Sequence, residues 1–239
     1  MYKEKKIRSV VKAFSWRFCG TLATTGLVFL FTRRWDAALG VGSADVLSKM
    51  FLFFIHERIW NRLHFGKYQV EPTVIWLTGL SGSGKSTLGR SIHTQLLGNG
   101  FRAEYLDGDT IRDIFPATGF TRVERDNHIK RVGYLASRLE SNGVFVVASF
   151  VSPYEDAREF VRKLCKRFVL VHVSTPIEEC ERRDIKGLYA KARRGEIKGF
   201  TGIDDPYEIP QKFELKIDTT NLPIEEATNQ VMNFLRPLI

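Results

Sequence analysis

Val74-Ile75-Trp76-Leu77-Thr78-Gly79-Leu80-Ser81-Gly82-Ser83-Gly84-Lys85-Ser86 is the stretch that decides the fold. Its first five residues, β-branched, aromatic or aliphatic, read as a buried strand, and the Gly-x-x-x-x-Gly-Lys-Ser run opens onto a helical pattern from Ser86 to Leu97. Strand, glycine loop and helix in this order make a phosphate-binding loop. The glycines let backbone N–H groups curl around phosphate oxygens, and the helix N-terminus adds partial positive charge. Gly79, Leu80, Ser81, Gly82, Ser83, Gly84, Lys85 and Ser86 are therefore candidate nucleotide-binding residues, with Lys85 reaching the β- and γ-phosphates and Ser86 placed for Mg2+.

Outward from this core, apolar strands are readable at Ala103–Leu106, Val144–Phe150, Phe168–Ser174 and Leu215–Ile217. Helical patterns at Arg125–Asn142, Glu155–Lys166, Ile177–Arg183 and Ile224–Leu235 separate them. Such alternation predicts an α/β fold of the P-loop NTPase type, a three-layer sandwich with a mostly parallel sheet reached by right-handed crossovers. Thr175-Pro176-Ile177-Glu178 reads as a capping box starting a helix. The guanine-reading Asn-Lys-x-Asp is absent, which argues against a GTPase. The space available favours a compact kinase over a motor.

The chain has 239 residues, enough for one well-cored domain and something small. Cys19, Cys165 and Cys180 are too few and too far apart for a disulfide framework or a thiolate metal cage, which fits a reducing compartment. The net charge of +9 suggests nucleic acid until it is located. Residues 1–68 carry 12 Lys and Arg against 4 Asp and Glu, leaving residues 69–239 nearly neutral. No nucleic-acid partner is expected.

Residues 1–68 form the first expected domain and 69–239 the second, with Gly66 to Pro72 as linker. After a basic opening, Phe18 to Thr32 carries no charge; its 15 residues would reach roughly 22 Å as a helix, short of a hydrocarbon core of about 30 Å. Snorkelling by Lys12, Arg17 and Arg33 could lengthen it. Beyond the turn-like Arg33-Arg34-Trp35-Asp36, a second apolar run, Ala37 to His56, is broken by Asp45 and Lys49, which can pair at i and i+4. Trp16, Trp35 and Trp60 fall where interfacial anchors would lie. An amphipathic hairpin packed on a soluble partner has the same pattern.

With Lys12, Ser15-Trp16-Arg17, Gly20-Thr21, Lys49 and His56-Glu57-Arg58-Ile59-Trp60, the segment Arg8 to Gly66 resembles a small two-helix bacterial membrane domain of unknown function. The resemblance implies a helical membrane hairpin and a cytoplasmic-membrane location. An even number of crossings would leave the basic N-terminus and the second domain in the cytosol. Arg33 and Arg34 then sit against the positive-inside rule, so spanning and one-leaflet embedding both stay open.

Two more clusters carry chemistry. Leu106-Asp107-Gly108-Asp109-Thr110-Ile111-Arg112 ends a strand, where ligands of such sheets bind. A carboxylate there can take a proton from a hydroxyl or hold a Mg2+ water, and Arg112 one turn on can grip an anion. The same residues could form only a helix cap and a surface arginine. Asp184 to Tyr207 is rich in glycine and basic residues, the composition of a segment that closes over a polyanion and equally of a solvated loop.

From Pro72 to the C-terminus the chain resembles the adenylylsulfate kinase (APS kinase) family, on Gly79–Thr87, Asp107–Arg112, Gly119-Phe120-Thr121, Ser149-Phe150-Val151-Ser152-Pro153-Tyr154 and the long Lys186-Gly187-Leu188-Tyr189 to Gly199-Phe200-Thr201-Gly202-Ile203-Asp204 signature. The resemblance implies ATP-dependent phosphorylation of the ribose 3′-hydroxyl of adenosine 5′-phosphosulfate, giving PAPS and ADP. ATP and Mg2+ are the implied cofactors, and a homodimer is compatible with it. It adds Thr87 to the ATP-binding residues and makes Asp109 the base or orienting group for the hydroxyl. Arg112 and Arg125 become phosphosulfate ligands, Phe120 and Phe200 an adenine sandwich, and Lys186 and Gly199 lid contacts. Val151 and Ser152 match a substrate-contacting turn, Ser152 at the place of a proposed phosphoenzyme serine. In-line transfer between two bound nucleotides does not need that covalent step.

One departure stands out. Where the family has Asp-Arg-x-x-Asn, this chain reads Glu124-Arg125-Asp126-Asn127-His128. His128 takes the substrate-contacting Asn position, where its N–H can donate a similar hydrogen bond and where a change in affinity, or in its dependence on pH near neutrality, is the expectation. A helix-surface histidine without a ligand is the alternative. Cys165 and Cys180 read as inert packing residues.

Overall fold

The computed structural model describes residues 2–4, 6–31, 38–63, 67–115, 119–184 and 186–238. They form two compact units, Met1–Val70 and Glu71–Ile239. Arg33, Arg34, Trp35 and Asp36, expected to turn between helices, lie outside the described residues, as do Gly66 and the side chain of Asp45.

In the first unit, strand β1 (Tyr2–Glu4) precedes helix α1 (Lys6–Phe31), then helix α2 (Ala38–Arg62) and strand β2 (Lys67–Gln69). β2 falls inside the expected linker and pairs antiparallel with β1, Lys3 opposite Tyr68. A three-residue strand has no readable alternation, so its partner makes it a strand. The helices run antiparallel, as shown by the Arg8 Nη1 bond to the Leu63 carbonyl (3.1 Å), the Lys12–Glu57 ion pair (3.0 Å) and Ser15 Oγ at 2.8 Å from His56 Nε2. Trp60 Nε1 also donates to His56 Nε2 (2.9 Å), and the Arg8 guanidinium lies 5.0 Å from the Trp60 ring centre.

Polarity in this unit is inverted at some positions, although Arg17, Lys49, Arg58 and Arg62 are exposed as well. Arg8, His56 and Trp60 are buried, whereas Phe14, Phe18, Phe51 and Phe54 are exposed, Phe14 at 72%. Among the described residues, no helix is both long and apolar enough to cross a membrane. The expectation of a transmembrane helix therefore gains no support from hydropathy. The charged and polar residues along the helices lower their apolar character.

The second unit is built on a five-stranded, wholly parallel sheet of β3 (Val74–Thr78), β4 (Ala103–Asp107), β5 (Phe145–Ser149), β6 (Phe168–Val173) and β7 (Leu215–Ile217), in the order β4-β5-β3-β6-β7. Every residue of β3 and β5 is buried, so these strands read as unbroken apolar runs. Helix α3 (Lys85–Gly98) follows β3. Two helices, α4 (Gly108–Ile114) and α5 (Arg122–Ser141), link β4 to β5, and α6 (Glu155–Leu164) links β5 to β6. Then come α7 (Ile177–Arg182), α8 (Leu188–Arg193) and, after β7, α9 (Ile224–Leu235). α3 packs with α9, and α5 with α6, giving the two outer layers. The core centres on Trp76, stacked on Phe150 at 5.3 Å and flanked by Val132, Val146 and Leu170.

Two local expectations are corrected. α5 starts at Arg122 rather than Arg125, because Thr121 and Glu124 form a capping box in which the Thr121 hydroxyl accepts from the Glu124 N–H (3.3 Å) and Glu124 Oε2 accepts from the Thr121 N–H (3.0 Å). Thr175 caps no helix: α7 starts after Pro176 without a side-chain cap bond. The Thr175 hydroxyl instead bonds to the Ser83 carbonyl (3.2 Å), which also accepts from Thr219 Oγ1 (3.0 Å). The phosphate loop is thus held from the ends of β6 and β7.

Candidate active site

The parallel sheet brings the carboxyl ends of β3, β4 and β5 to one edge, where ligands bind in open α/β folds. A cleft of about 780 Å3 opens there. The loop from β3 to α3 forms one wall. Gly82 and Gly84 have φ of +75° and +92°, backbone that side chains disfavour, and a Cβ on Gly82 would sit 2.8 Å from the Cys180 carbonyl oxygen. Lys85 is buried in this wall, its ammonium donating to the Leu80 carbonyl (2.6 Å) and lying 3.4 Å from Ser83 Oγ. Burial lowers its pKa to about 8, against the opposing pull of Cys180, Asp109 and Asp107.

At the end of β4, Asp107 is the N-cap of α4 and accepts from the Asp109 N–H (3.1 Å) and the Tyr105 hydroxyl (2.9 Å). Burial pushes its carboxyl up, but hydrogen bonds from Tyr105, Ser86 and the Asp109 and Thr110 backbone outweigh that and hold it below the usual carboxylate range. Among the described residues, no cluster of three or more His, Cys, Asp or Glu could cage a metal by itself. Ser86 and Asp107 nonetheless bring two hard oxygen donors together beside the phosphate loop. That set fits a Mg2+ that keeps waters and arrives on a triphosphate.

Asp109, one residue past the cap, is exposed on the cleft wall and takes an ion pair from Lys186. Arg112 Nη1 donates to the Gly119 carbonyl (3.0 Å), and its guanidinium lies 4.7 Å from the Phe120 ring centre. The Arg125 guanidinium lies 5.9 Å from the same ring. Burial, then the nearby Arg125 cation, lowers the Arg112 pKa, while Asp109 pulls the other way. Two guanidinium groups in mutual repulsion beside one aromatic face make a receptor for an anion carrying an apolar ring.

Arg125 is buried and largely engaged within the protein. Its Nη1 donates to Thr201 Oγ1 (2.5 Å) and Asp205 Oδ2 (2.8 Å), and its Nη2 to the Gly199 carbonyl. Phe200, beside this clasp, meets Tyr189 edge-on at 4.9 Å, and the Tyr189 hydroxyl donates to the Ser81 carbonyl (2.9 Å). The run from Asp184 to Tyr207 is therefore anchored both to the phosphate loop and to α5. It is no freely solvated loop.

His128 is buried rather than on the helix surface, with both ring nitrogens lacking a partner in the protein. It lines the cleft, with Phe150 at 5.9 Å and Phe115 at 6.2 Å between ring centres. Burial, then Arg112 and Arg131, lower its pKa to about 4. This corrects the expected dependence on pH near neutrality, since the ring stays neutral there.

Ser152 has φ of +39°, the one described non-glycine residue with positive φ. Its hydroxyl accepts from Trp76 Nε1 (3.1 Å) and donates to Thr78 Oγ1 (2.9 Å), while its carbonyl accepts from Arg158 Nη1 (2.5 Å). Thr78 Oγ1 also donates to the Val151 carbonyl (2.8 Å), so this turn is held against strain from β3.

Of the residues expected from sequence, Ser81, Gly82, Gly84, Lys85, Ser86, Thr87, Asp109, Arg112, Phe120, Arg125, His128, Val151, Ser152, Lys186 and Phe200 all line this one cleft. Gly79, Leu80, Ser83 and Gly199 do not line it. Gly79 abuts the Val173 carbonyl, Leu80 serves Lys85, Ser83 is fully buried, and the Gly199 carbonyl serves Arg125. Sequence reasoning missed Arg183 and Thr201 in the lining, and Asp205 and Tyr154 behind Arg125.

A family model described as adenylylsulphate kinase matches residues 71–218. The chain belongs to the adenylylsulphate kinase family. It is 47% identical to the adenylyl-sulfate kinase of a Picosynechococcus species over 165 residues, 69% of this chain and 93% of that one. It is 44% identical to that of Halothermothrix orenii over 162 residues, 67% and 88% of the two chains. The Mycobacterium tuberculosis APS kinase CysC, solved in complex with AMPPNP and APS, superposes with a TM-score of 0.67 at 37% identity over 70% of this chain and 99% of that one. As a member of this kinase family, the chain is an ATP-using phosphotransferase with the P-loop sandwich expected from sequence. A second model, described as a predicted membrane protein (DUF2061), matches residues 10–61.

Proposed function

We propose that the cleft binds ATP and adenosine 5′-phosphosulfate together and moves the γ-phosphoryl group to the ribose 3′-hydroxyl, releasing PAPS and ADP. One observation carries this reading: a single cleft holds the phosphate loop with Lys85, the carboxylate of Asp109, and the paired guanidinium groups of Arg112 and Arg125 around Phe120. Lys85 and the loop amides grip the triphosphate, leaving the Leu80 carbonyl that now occupies the ammonium. Ser86 and Asp107 would hold Mg2+, which when bound neutralises charge on the β- and γ-oxygens. Arg112 and Arg125 take the phosphosulfate, Phe120 and Phe200 the adenine, and His128 and the Val151 turn the remaining substrate edge.

Lys186 and Gly199 belong to the segment that covers the substrate. Asp109 orients the 3′-hydroxyl and accepts its proton as the new oxygen–phosphorus bond forms, while the bond from the γ-phosphorus to the bridging oxygen breaks and ADP leaves with that electron pair. Ser152 is better suited to hold the turn than to carry a phosphoryl group, because its hydroxyl is shared between Trp76 and Thr78. Full-length protein given ATP, Mg2+ and adenosine 5′-phosphosulfate should release ADP and a 3′-phosphorylated product. Lys85→Ala and Asp109→Ala should each abolish both. Wild-type protein that never forms this product overturns the reading.

We further propose that residues 1–68 hold the kinase at the cytoplasmic membrane, facing the cytosol where ATP is made. Exposed Phe14, Phe18, Phe51 and Phe54, together with Arg8 and His56 turned inward, support this, since such side chains suit lipid surroundings better than water. Cell fractionation with and without residues 1–68 tests it: activity should move to the soluble fraction on deletion.

A further inference from the structure

Arg125 does not stand alone in the cleft wall. Its partners come from a segment about 75 to 80 residues downstream, Gly199, Thr201 and Asp205, and Asp205 is in turn fixed by Tyr154. The Tyr154 hydroxyl lies 2.8 Å and 3.0 Å from the two Asp205 oxygens, and Arg122 lies 4.3 Å from the centre of the Tyr154 ring. Tyr154 closes the turn that follows β5, the same turn that carries Val151 and Ser152 into the cleft. A carboxylate that takes both a guanidinium and a phenol cannot rotate without losing one of them.

We propose that Asp205 and Tyr154 are positioning residues. They hold the Arg125 guanidinium by Nη1, so that its Nε edge, which none of the three bonds uses, is presented to the anionic end of the substrate. The inference rests on the reading of Arg125 as a phosphosulfate ligand, and it goes beyond that reading in assigning the residues that aim it. The physical case is charge and geometry. Arg125 is close enough to Arg112 for the two cations to repel. Without a counter-charge behind it, the Arg125 side chain would swing away from Arg112 and enlarge the anion site. Asp205 supplies that counter-charge at 2.8 Å, and Tyr154 keeps the carboxylate facing α5.

The arrangement also makes one cation serve two tasks. The main-chain carbonyl of Gly199 is on Nη2, next to Phe200, so a displacement of Arg125 carries the aromatic wall with it. Loss of Asp205 should therefore damage the adenylyl-sulfate site and leave the ATP site intact, because Lys85 and Ser86 depend on β3 and α3.

The test compares full-length wild type with Asp205→Asn, Asp205→Ala and Tyr154→Phe in steady-state assays with ATP and adenosine 5′-phosphosulfate, alongside thermal unfolding. Asp205→Asn keeps the shape and removes the charge. It should raise KM for adenosine 5′-phosphosulfate roughly tenfold, the scale of a lost charge-assisted hydrogen bond, with KM for ATP unchanged and Tm lowered, because the buried Arg125 guanidinium loses its counter-charge. Tyr154→Phe should shift the same constant in the same direction by less. Unchanged KM for adenosine 5′-phosphosulfate in Asp205→Asn, or equal rises in both KM values, overturns the proposal. If Asp205→Ala alone lowers Tm while Asp205→Asn behaves as wild type, Asp205 is structural and the proposal fails. Absence of turnover in wild type would instead refute the substrate reading itself, which keeps the two failures apart.

Discussion

Lys186, from the segment proposed to cover the substrate, makes an ion pair with Asp109, the carboxylate proposed to meet the substrate hydroxyl. Both side chains are largely exposed, so the pair contributes only ~0–1 kcal/mol and a bound nucleotide can displace it at little cost. Lys186→Ala should therefore leave Tm unchanged while lowering kcat/KM for adenosine 5′-phosphosulfate. A thermal melt and a substrate titration on the same sample check both halves, and a large loss of Tm would contradict the argument.

Lys85 gives the site an alkaline limb. Its pKa is lowered to about 8 by burial, so the ammonium is charged below that pH and is lost above it. Because kcat/KM reports the free enzyme, its value for ATP should fall as pH rises through about 8. Lys85→Arg, weaker throughout, should show no such limb, since a guanidinium stays charged. A wild-type profile that stays flat well beyond this pH would remove Lys85 as its source.

His128 should trade stability against binding. Two ring nitrogens buried without a partner cost the empty protein on the order of 1–3 kcal/mol, recovered when a substrate hydrogen-bonds to them. His128→Leu should raise Tm and raise KM for adenosine 5′-phosphosulfate, with KM for ATP unchanged. With its pKa lowered to about 4, the histidine should add no inflection to the pH profile near neutrality. A Tm that falls in His128→Leu would show that the ring already has partners.

Ser152 separates a holding role from a covalent one. Ser152→Ala leaves the Trp76 N–H without its acceptor in the core, at a cost of about 1–3 kcal/mol. Tm should drop and turnover should persist. Intact-mass measurement of wild type after incubation with ATP should show no added phosphoryl group. A phosphorylated Ser152, or a dead Ser152→Ala that melts like wild type, would restore the covalent route.

The five sheet strands were legible because β-branched and aromatic runs between helical patterns leave little choice, and β3 and β7 fall at their expected residues. α4 and α8, at 7 and 6 residues, were not legible, because neither shows a full amphipathic repeat; α7, equally short, was read from its Thr175-Pro176 start rather than from periodicity. Motif order marked most of the cleft. Hidden from it were contacts made across long sequence separations, such as Thr175 and Thr219 on the Ser83 carbonyl, or Asp205 on Arg125. Asp205 had a signal in its place directly after the Lys186-to-Asp204 signature, but nothing in the sequence shows that one aspartate serves the Gly199 and Phe200 amides and the other the arginine. His128 was legible as a departure, and its neutrality was not, since that depends on burial and on Arg112 and Arg131.

The ladder between β1 and β2 stitches the residues before the first long helix to those after the second. Whatever medium surrounds the helices, both ends of the hairpin leave it together. A reporter fused ahead of Tyr2 and the catalytic unit starting at Glu71 should then share one fate in sealed vesicles, both cut by an added protease or both spared.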